Sequence, residues 1–155
     1  RAHEAFTHYM LDHYLRAPSV RPIEGAEATF LALRETGVKT ALDTGFGRKI
    51  LDAVLLRLGW YDVVDATVAS DEVPEGRPAP FMIRRAMALV GVADPRHVAK
   101  VGDTAADMRE GASAGCGIIA GVLTGTGSPG VLSAAGATHV LPSVAFLPRL
   151  WLAAA

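Results

Sequence analysis

Residues 100–108 read KVGDTAADM, and the fold depends on how this stretch is divided. The apolar approach HVAKVG (97–102) predicts a strand, and residues 104–114 predict a helix. Thr104-Ala105-Ala106-Asp107 fits a capping box, in which a hydroxyl and a carboxylate satisfy free backbone donors at a helix start. That reading uses Thr104 and Asp107 without any function. It leaves Asp103 over, either as a strand terminator or helix cap, or as a group that meets a ligand.

The same alternation continues on both sides. Upstream, residues 3–16 form a helix with Phe6, Tyr9, Met10, His13 and Tyr14 near one face, and RAPSVRP breaks it. A helix over 24–36 closes at Gly37. VKTALD (38–43) is a short buried strand, TGFG a turn, 48–58 a helix stopped by Gly59, and DVVDATVAS (62–70) a strand. After the polar loop DEVPEGRPAP comes a helix over 80–90, ended by Gly91. Downstream, GIIAGV (117–122) and THVL (138–141) are strands, 130–135 a short helix and 143–152 a final helix. Strands alternating with helices of this length imply right-handed crossovers and an α/β fold, with a parallel sheet covered on both faces.

The bulk composition agrees. The 155 residues are 50% hydrophobic and 20% charged, which is globular rather than disordered. A net charge of −1 and scattered basic residues argue against a nucleic-acid partner. Apolar runs such as CGIIAGVL are too short to span a bilayer, and the polar, amphipathic start is no signal peptide. One cysteine excludes an internal disulfide and suits a reducing cytoplasm. The chain starts at Arg1 inside a helix without a cap, so residues upstream of it are expected.

Several motifs fail on context. GTGSPG (125–130) matches the dinucleotide pattern G-x-G-x-x-G, but no acidic residue occurs after Glu110 to hold a ribose. GASAG (111–115) matches a nucleophile elbow, yet Ser113 ends a helix instead of following a strand, and no acid lies downstream. His3, His8 and His13 are five apart and spread around their helix. His97 and His139 start strands with no evident partner. Cys116 reads as a small buried hydrophobe.

In parallel α/β sheets, ligands bind beyond the carboxyl ends of the strands. Thr44 follows the first strand, Arg77 lies in the loop after the second, and Asp103 follows the third. Thr44 offers a hydroxyl and Gly45 a backbone N–H on a turn, while Arg77 is a permanently charged fork suited to phosphate. Asp103 is a hard oxygen ligand of the kind Mg2+ takes beside phosphate oxygens. Each residue has a plainer role: Thr44 as cap of the next helix, Arg77 as a solvated loop residue, Asp103 as a cap. Together they describe Mg2+-assisted phosphoryl chemistry.

The order LDTGF, SDEVPEGRPAP, KVGDTAADMREGASAGC resembles the haloacid dehalogenase superfamily, and within it the phosphonatase-like hydrolases, over about residues 20–150. The resemblance implies that Thr44 and Gly45 bind the phosphoryl group and that Arg77 neutralises nucleophile and phosphate. It implies that Asp103 holds Mg2+ and that Asp107 supports the metal shell. Residues 1–21 then end a helical cap and 22–155 form the Rossmann-like core. The substrate is expected to be a small phosphorylated or phosphonate compound. The amphipathic first helix is a candidate surface for a homodimer, or for packing on other cap residues.

Two family features are absent. The superfamily's D-x-D motif, whose first Asp attacks phosphorus to give an aspartyl-phosphate, occurs nowhere; Asp62 and Asp65 have the wrong spacing and place. Phosphonatases also use a cap lysine that forms a Schiff base, whereas the first lysine here is Lys39. The nucleophile and its strand are therefore expected upstream, with that strand lying between VKTALD and HVAKVG. These residues alone would be inactive. The alternative is a non-catalytic α/β module that binds phosphate or a nucleotide.

Overall fold

The structure, a computed structural model, describes residues 2–152. It is an alternation of helices and parallel strands. Helix α1 (Ala2–Arg16) leads into α2 (Ala26–Glu35), β1 (Ala41–Thr44) and α3 (Arg48–Leu58). Then follow β2 (Ala66–Ala69), α4 (Phe81–Val90), β3 (Ala99–Gly102) and α5 (Ala105–Ala114). The remainder is β4 (Ile118–Val122), α6 (Pro129–Ala134), β5 (His139–Leu141) and α7 (Pro148–Leu152).

The helices form because their apolar residues recur at helical spacing. In α2 the buried positions are Ala26, Thr29, Phe30 and Leu33; in α4 they are Met82, Ile83, Ala86 and Met87. Helices α3, α4 and α5 end at Gly59, Gly91 and Gly115, each in the left-handed region that closes a C-terminus. Phe30 meets Trp60 edge to face at 5.2 Å, which locks α2 onto the turn after α3. Met108, Ile119 and Leu132 pack α5, β4 and α6 together.

The strands form two parallel ladders. β1 pairs with β2, placing Thr44 opposite Ala69. β3 pairs with β4 and β4 with β5, placing Gly102 opposite Gly121. Among the described residues, β1 and β3 do not pair, so the two ladders face each other across a gap.

Three expected boundaries move. The strand foreseen at 38–43 begins only at Ala41, because Val38 N–H closes the end of α2 on Leu33 O at 2.9 Å and the Asp65 carboxylate takes Thr40 N–H at 2.8 Å. The strand foreseen at 62–70 is shortened to Ala66–Ala69: Val63 N–H turns back to Trp60 O, and Ser70–Glu72 coil into a 3-10 turn. The helix foreseen at 143–152 divides into a 3-10 turn, Val144–Phe146, and α7, which opens on Pro148.

Candidate active site

Three loops meet at the carboxyl ends of β1, β2 and β3. The turn after β1 is held to the loop after β2 by Ser70 N–H on Phe46 O (3.0 Å) and Ser70 Oγ on Gly45 O (2.9 Å). Asp71 Oδ1 accepts Arg48 N–H at 2.9 Å, so Asp71 satisfies the start of α3. Thr44 is thereby excluded as that helix's cap; its Oγ1 instead accepts Phe46 N–H at 3.2 Å within the turn. The Arg48 guanidinium reinforces the junction through Thr67 Oγ1 (2.9 Å), Thr67 O (3.1 Å) and Glu72 Oε2 (2.5 Å).

Arg77, whose peptide bond to Pro78 is cis, reaches back over this turn. A Cβ at Gly45 would stand 2.9 Å from Arg77 Nη2, so only glycine lets the guanidinium lie this close to the Thr44 turn. Arg77 Nη1 pairs with Asp107 Oδ1, and its side chain is 24% exposed, so it is no solvated loop residue. Burial works against its charge, but the neighbouring Asp107 carboxylate outweighs burial and the guanidinium is held more firmly protonated than usual.

The capping box at KVGDTAADM forms as read. Thr104 Oγ1 accepts Asp107 N–H (3.2 Å) and Asp107 Oδ2 accepts Thr104 N–H (3.0 Å). The Asp107 carboxylate also accepts the Thr104 hydroxyl at 2.6 Å and is 4% exposed. Burial pushes its carboxyl upward, yet the Thr104 hydroxyl and the Lys100 and Arg77 charges win and hold it below the usual range. Asp103, just before the cap, points elsewhere: its Oδ2 accepts Thr126 N–H at 2.9 Å and the Thr126 hydroxyl at 3.3 Å.

A buried charge cluster lies beneath these residues, and the sequence reading missed it. Lys100, 6% exposed, reaches across the gap from β3 to Asp43 at the end of β1, with Nζ 2.7 and 2.8 Å from its carboxylate oxygens. Glu110, fully buried, meets the same ammonium at 2.6 Å, and Asp107 lies 3.6 Å from it. Contact with Glu110 is an ion pair outside hydrogen-bond angles, and Glu110 Oε1 has no hydrogen-bond partner among the described residues. Burial lifts the Glu110 carboxyl above its ordinary value, opposed by Lys100. Burial would lower Lys100, but Asp43 and Glu110 more than compensate. Two signals could have found the cluster: a lysine inside an otherwise apolar strand, and Glu110 one helical step from Asp107.

The ladder gap opens into a cavity of about 700 Å³. Its apolar reach is lined by Phe30, Leu33, Ile83 and Met87, and its polar end by Asp43, Arg77, Lys100, Asp103 and Asp107. Thr44 and Gly45 flank the polar end through the Arg77 contact. Carboxylate oxygens of Asp43, Asp107 and Glu110 lie within 4.8 Å of one another, but they surround the Lys100 ammonium, which already neutralises them. Asp103 keeps its Oδ1 without a hydrogen bond among the described residues. Asp103 Oδ1, at the polar end of the cavity, is a hard oxygen donor of the kind Mg2+ takes beside phosphate oxygens. No helix among the described residues is long and apolar enough to cross a membrane.

The chain as a whole is similar to known proteins. A family profile described as haloacid dehalogenase-like hydrolase covers residues 2–115. Phosphonoacetaldehyde hydrolase from Bacillus cereus is 37% identical over 111 residues, which is 71% of this chain and 42% of that protein. This chain thus spans about two fifths of the length of the curated relatives it matches. The crystal structure of a hydrolase of the same superfamily from Deinococcus radiodurans, with bound phosphate and sodium, superposes with a TM-score of 0.76 at 29% identity, covering 85% of this chain and 59% of that one. A phosphonoacetaldehyde hydrolase-like protein from Oleispira antarctica gives a TM-score of 0.75 at 25% identity, covering 84% and 56%.

Proposed function

The chain belongs to the haloacid dehalogenase-like hydrolase family, and from that premise we propose that it is the greater part of the core of a Mg2+-dependent hydrolase acting on a small phosphorylated or phosphonate compound. One observation carries the reading: Arg77 and Asp103, from successive loops, line the polar end of one cavity, and Arg77 lies against the Thr44–Gly45 turn.

In this reading the Thr44 hydroxyl and the Gly45 N–H donate to phosphoryl oxygens. Arg77 supplies a fixed charge that favours the developing negative charge of phosphoryl transfer. Asp103 would hold Mg2+, with Asp107 supporting its shell, and the ion when bound neutralises charge on the transferring group. The attacking carboxylate would come from a strand of the full-length protein seated between β1 and β3; its bond to phosphorus replaces the bond to the leaving group, which departs with a proton, and water then cleaves the aspartyl-phosphate to give inorganic phosphate and the free carboxylate. The unpaired facing edges of the two ladders and the apolar cavity between them support that placement. In this reading residues 1–21 end a helical cap, which is supported by α1 packing against α3 and by Tyr14 meeting Phe46 of the Thr44 turn at 5.9 Å. A cytoplasmic location is consistent with the single Cys116 thiol, which burial pushes up to about 11 and so keeps unreactive.

The test is turnover by the full-length protein with Mg2+, measured as inorganic phosphate released from phosphonoacetaldehyde and from a panel of small phosphate esters. Release from either class supports the hydrolase and fixes its subgroup. Phosphate binding without release from any substrate would contradict it and favour a binding module.

A further inference from the structure

The GTGSPG motif lacks the downstream acid of a dinucleotide site, yet its first glycine and its threonine both lie against the carboxylate of Asp103. We propose that the Gly125–Gly127 loop is the positioning device for Asp103, with Thr126 as the residue that fixes which carboxylate oxygen is free for the metal. The inference rests on the reading of Asp103 as a Mg2+ ligand and goes beyond it.

Three observations carry it. Both donors of Thr126, the N–H at 2.9 Å and the hydroxyl at 3.3 Å, go to the same oxygen, Oδ2. Two donors on one oxygen fix the carboxylate's rotation and leave Oδ1 without a protein hydrogen bond among the described residues. The loop comes this near because it lacks side chains on either side of Thr126. A Cβ on Gly125 would overlap the Asp103 carboxylate, and one on Gly127 would overlap the Asp103 carbonyl. The loop itself is anchored. Ser128 caps α6, accepting Val131 N–H at 3.4 Å, and Leu132 on that helix is fully buried against Met108 and Ile119. The metal-side strand β3 and the β4–α6 loop are thus joined at one carboxylate. Groups that orient a metal ligand in this way typically control metal affinity by 10- to 100-fold.

The experiment is Mg2+ titration calorimetry on the full-length protein and its variants, with melting temperatures and kinetics measured alongside. Gly125→Ala should weaken Mg2+ binding roughly 10- to 100-fold, raise the Mg2+ concentration for half-maximal rate in step, and leave the substrate KM at saturating Mg2+ unchanged. Thr126→Val, which removes only the hydroxyl, should weaken Mg2+ by roughly tenfold, and Thr126→Ser should restore it. Gly130→Ala, whose added Cβ meets nothing within 4 Å, is the control. If Gly125→Ala fails to fold, the Thr126→Val and Thr126→Ser pair decides alone. Mg2+ affinity unchanged in Thr126→Val, or unchanged in a folded Gly125→Ala, overturns the proposal. Asp103→Asn separates the two layers: if it too binds Mg2+ normally, the metal reading fails, and if only it loses Mg2+, the positioning role fails.

Discussion

Replacing Lys100 by Met removes the ammonium that lies within 4 Å of Asp43, Asp107 and Glu110 together. Its ammonium lies 2.7 Å from Asp43, 2.6 Å from Glu110 and 3.6 Å from Asp107, on a side chain 6% exposed. Asp107 keeps Arg77 and Thr104, so its loss is small. Among the described residues Asp43 and Glu110 keep no direct ion pair, only the more distant Arg77 charge, and Glu110 is fully buried. Breaking a buried pair by removing one partner costs about 3–5 kcal/mol. Glu110 relieves part of this by taking up a proton, since burial already favours its neutral form, which points to the lower end, roughly 3–4 kcal/mol. For a domain of this size each kcal/mol moves the melting temperature by about 2–4 °C, so the drop is about 6–16 °C. Urea and thermal melts of the full-length protein read it directly. The double variant Lys100→Met with Glu110→Gln should recover part of the loss, because the remaining buried acid then has a neutral neighbour. A single-variant loss under about 1 kcal/mol, or a double variant no better than the single, would refute the reasoning that Lys100 compensates buried carboxylates.

Arg77→Met should lower kcat by roughly 10²–10³-fold, and Arg77→Lys should recover part of that, since charge remains but the fork is lost; steady-state kinetics on the substrate found to turn over would show both. Asp65 is held below its ordinary range by Thr40 N–H first, and by Lys39. Its folded value being depressed, its contribution of about 1 kcal/mol is full above the unfolded value near 3.9 and fades as pH falls through the folded value. The stability gap between wild type and Asp65→Asn, followed by urea melts from neutral pH downward, should close in that acidic window and be flat above it. Leu132→Ala empties a fully buried site that α6 shares with Met108 and Ile119; the expected loss is about 2–5 kcal/mol by chemical denaturation, and a loss under 1 would mean the cluster repacks.

The sequence was most informative where chemistry is local. Helix ends are set by backbone groups within a few residues, so Gly59 and Gly91, the stop at Gly37 and the Thr104–Asp107 box were all legible. So was the parallel α/β order, which follows from the alternation of short apolar runs with amphipathic ones. Strand starts were less legible because they depend on distant partners. Asp65 takes the Thr40 N–H that a longer β1 would have used, across 25 residues. The Lys100–Asp43 pair spans 57 residues and two ladders, and no spacing rule announces it. The GTG loop showed the opposite failure. Its pattern matches the dinucleotide fingerprint and fails on context, whereas Gly125 and Gly127 lie close against the carboxylate and the carbonyl of Asp103, a contact visible only when Asp103 and Thr126 are placed together.

The most direct measurement of the central claim is Mg2+-dependent phosphate release by full-length wild type beside Asp103→Asn, with circular dichroism confirming that both are folded. The account predicts turnover that rises and saturates with Mg2+ in the wild type and is abolished in Asp103→Asn. A folded Asp103→Asn variant with unchanged rate and unchanged Mg2+ dependence would contradict it.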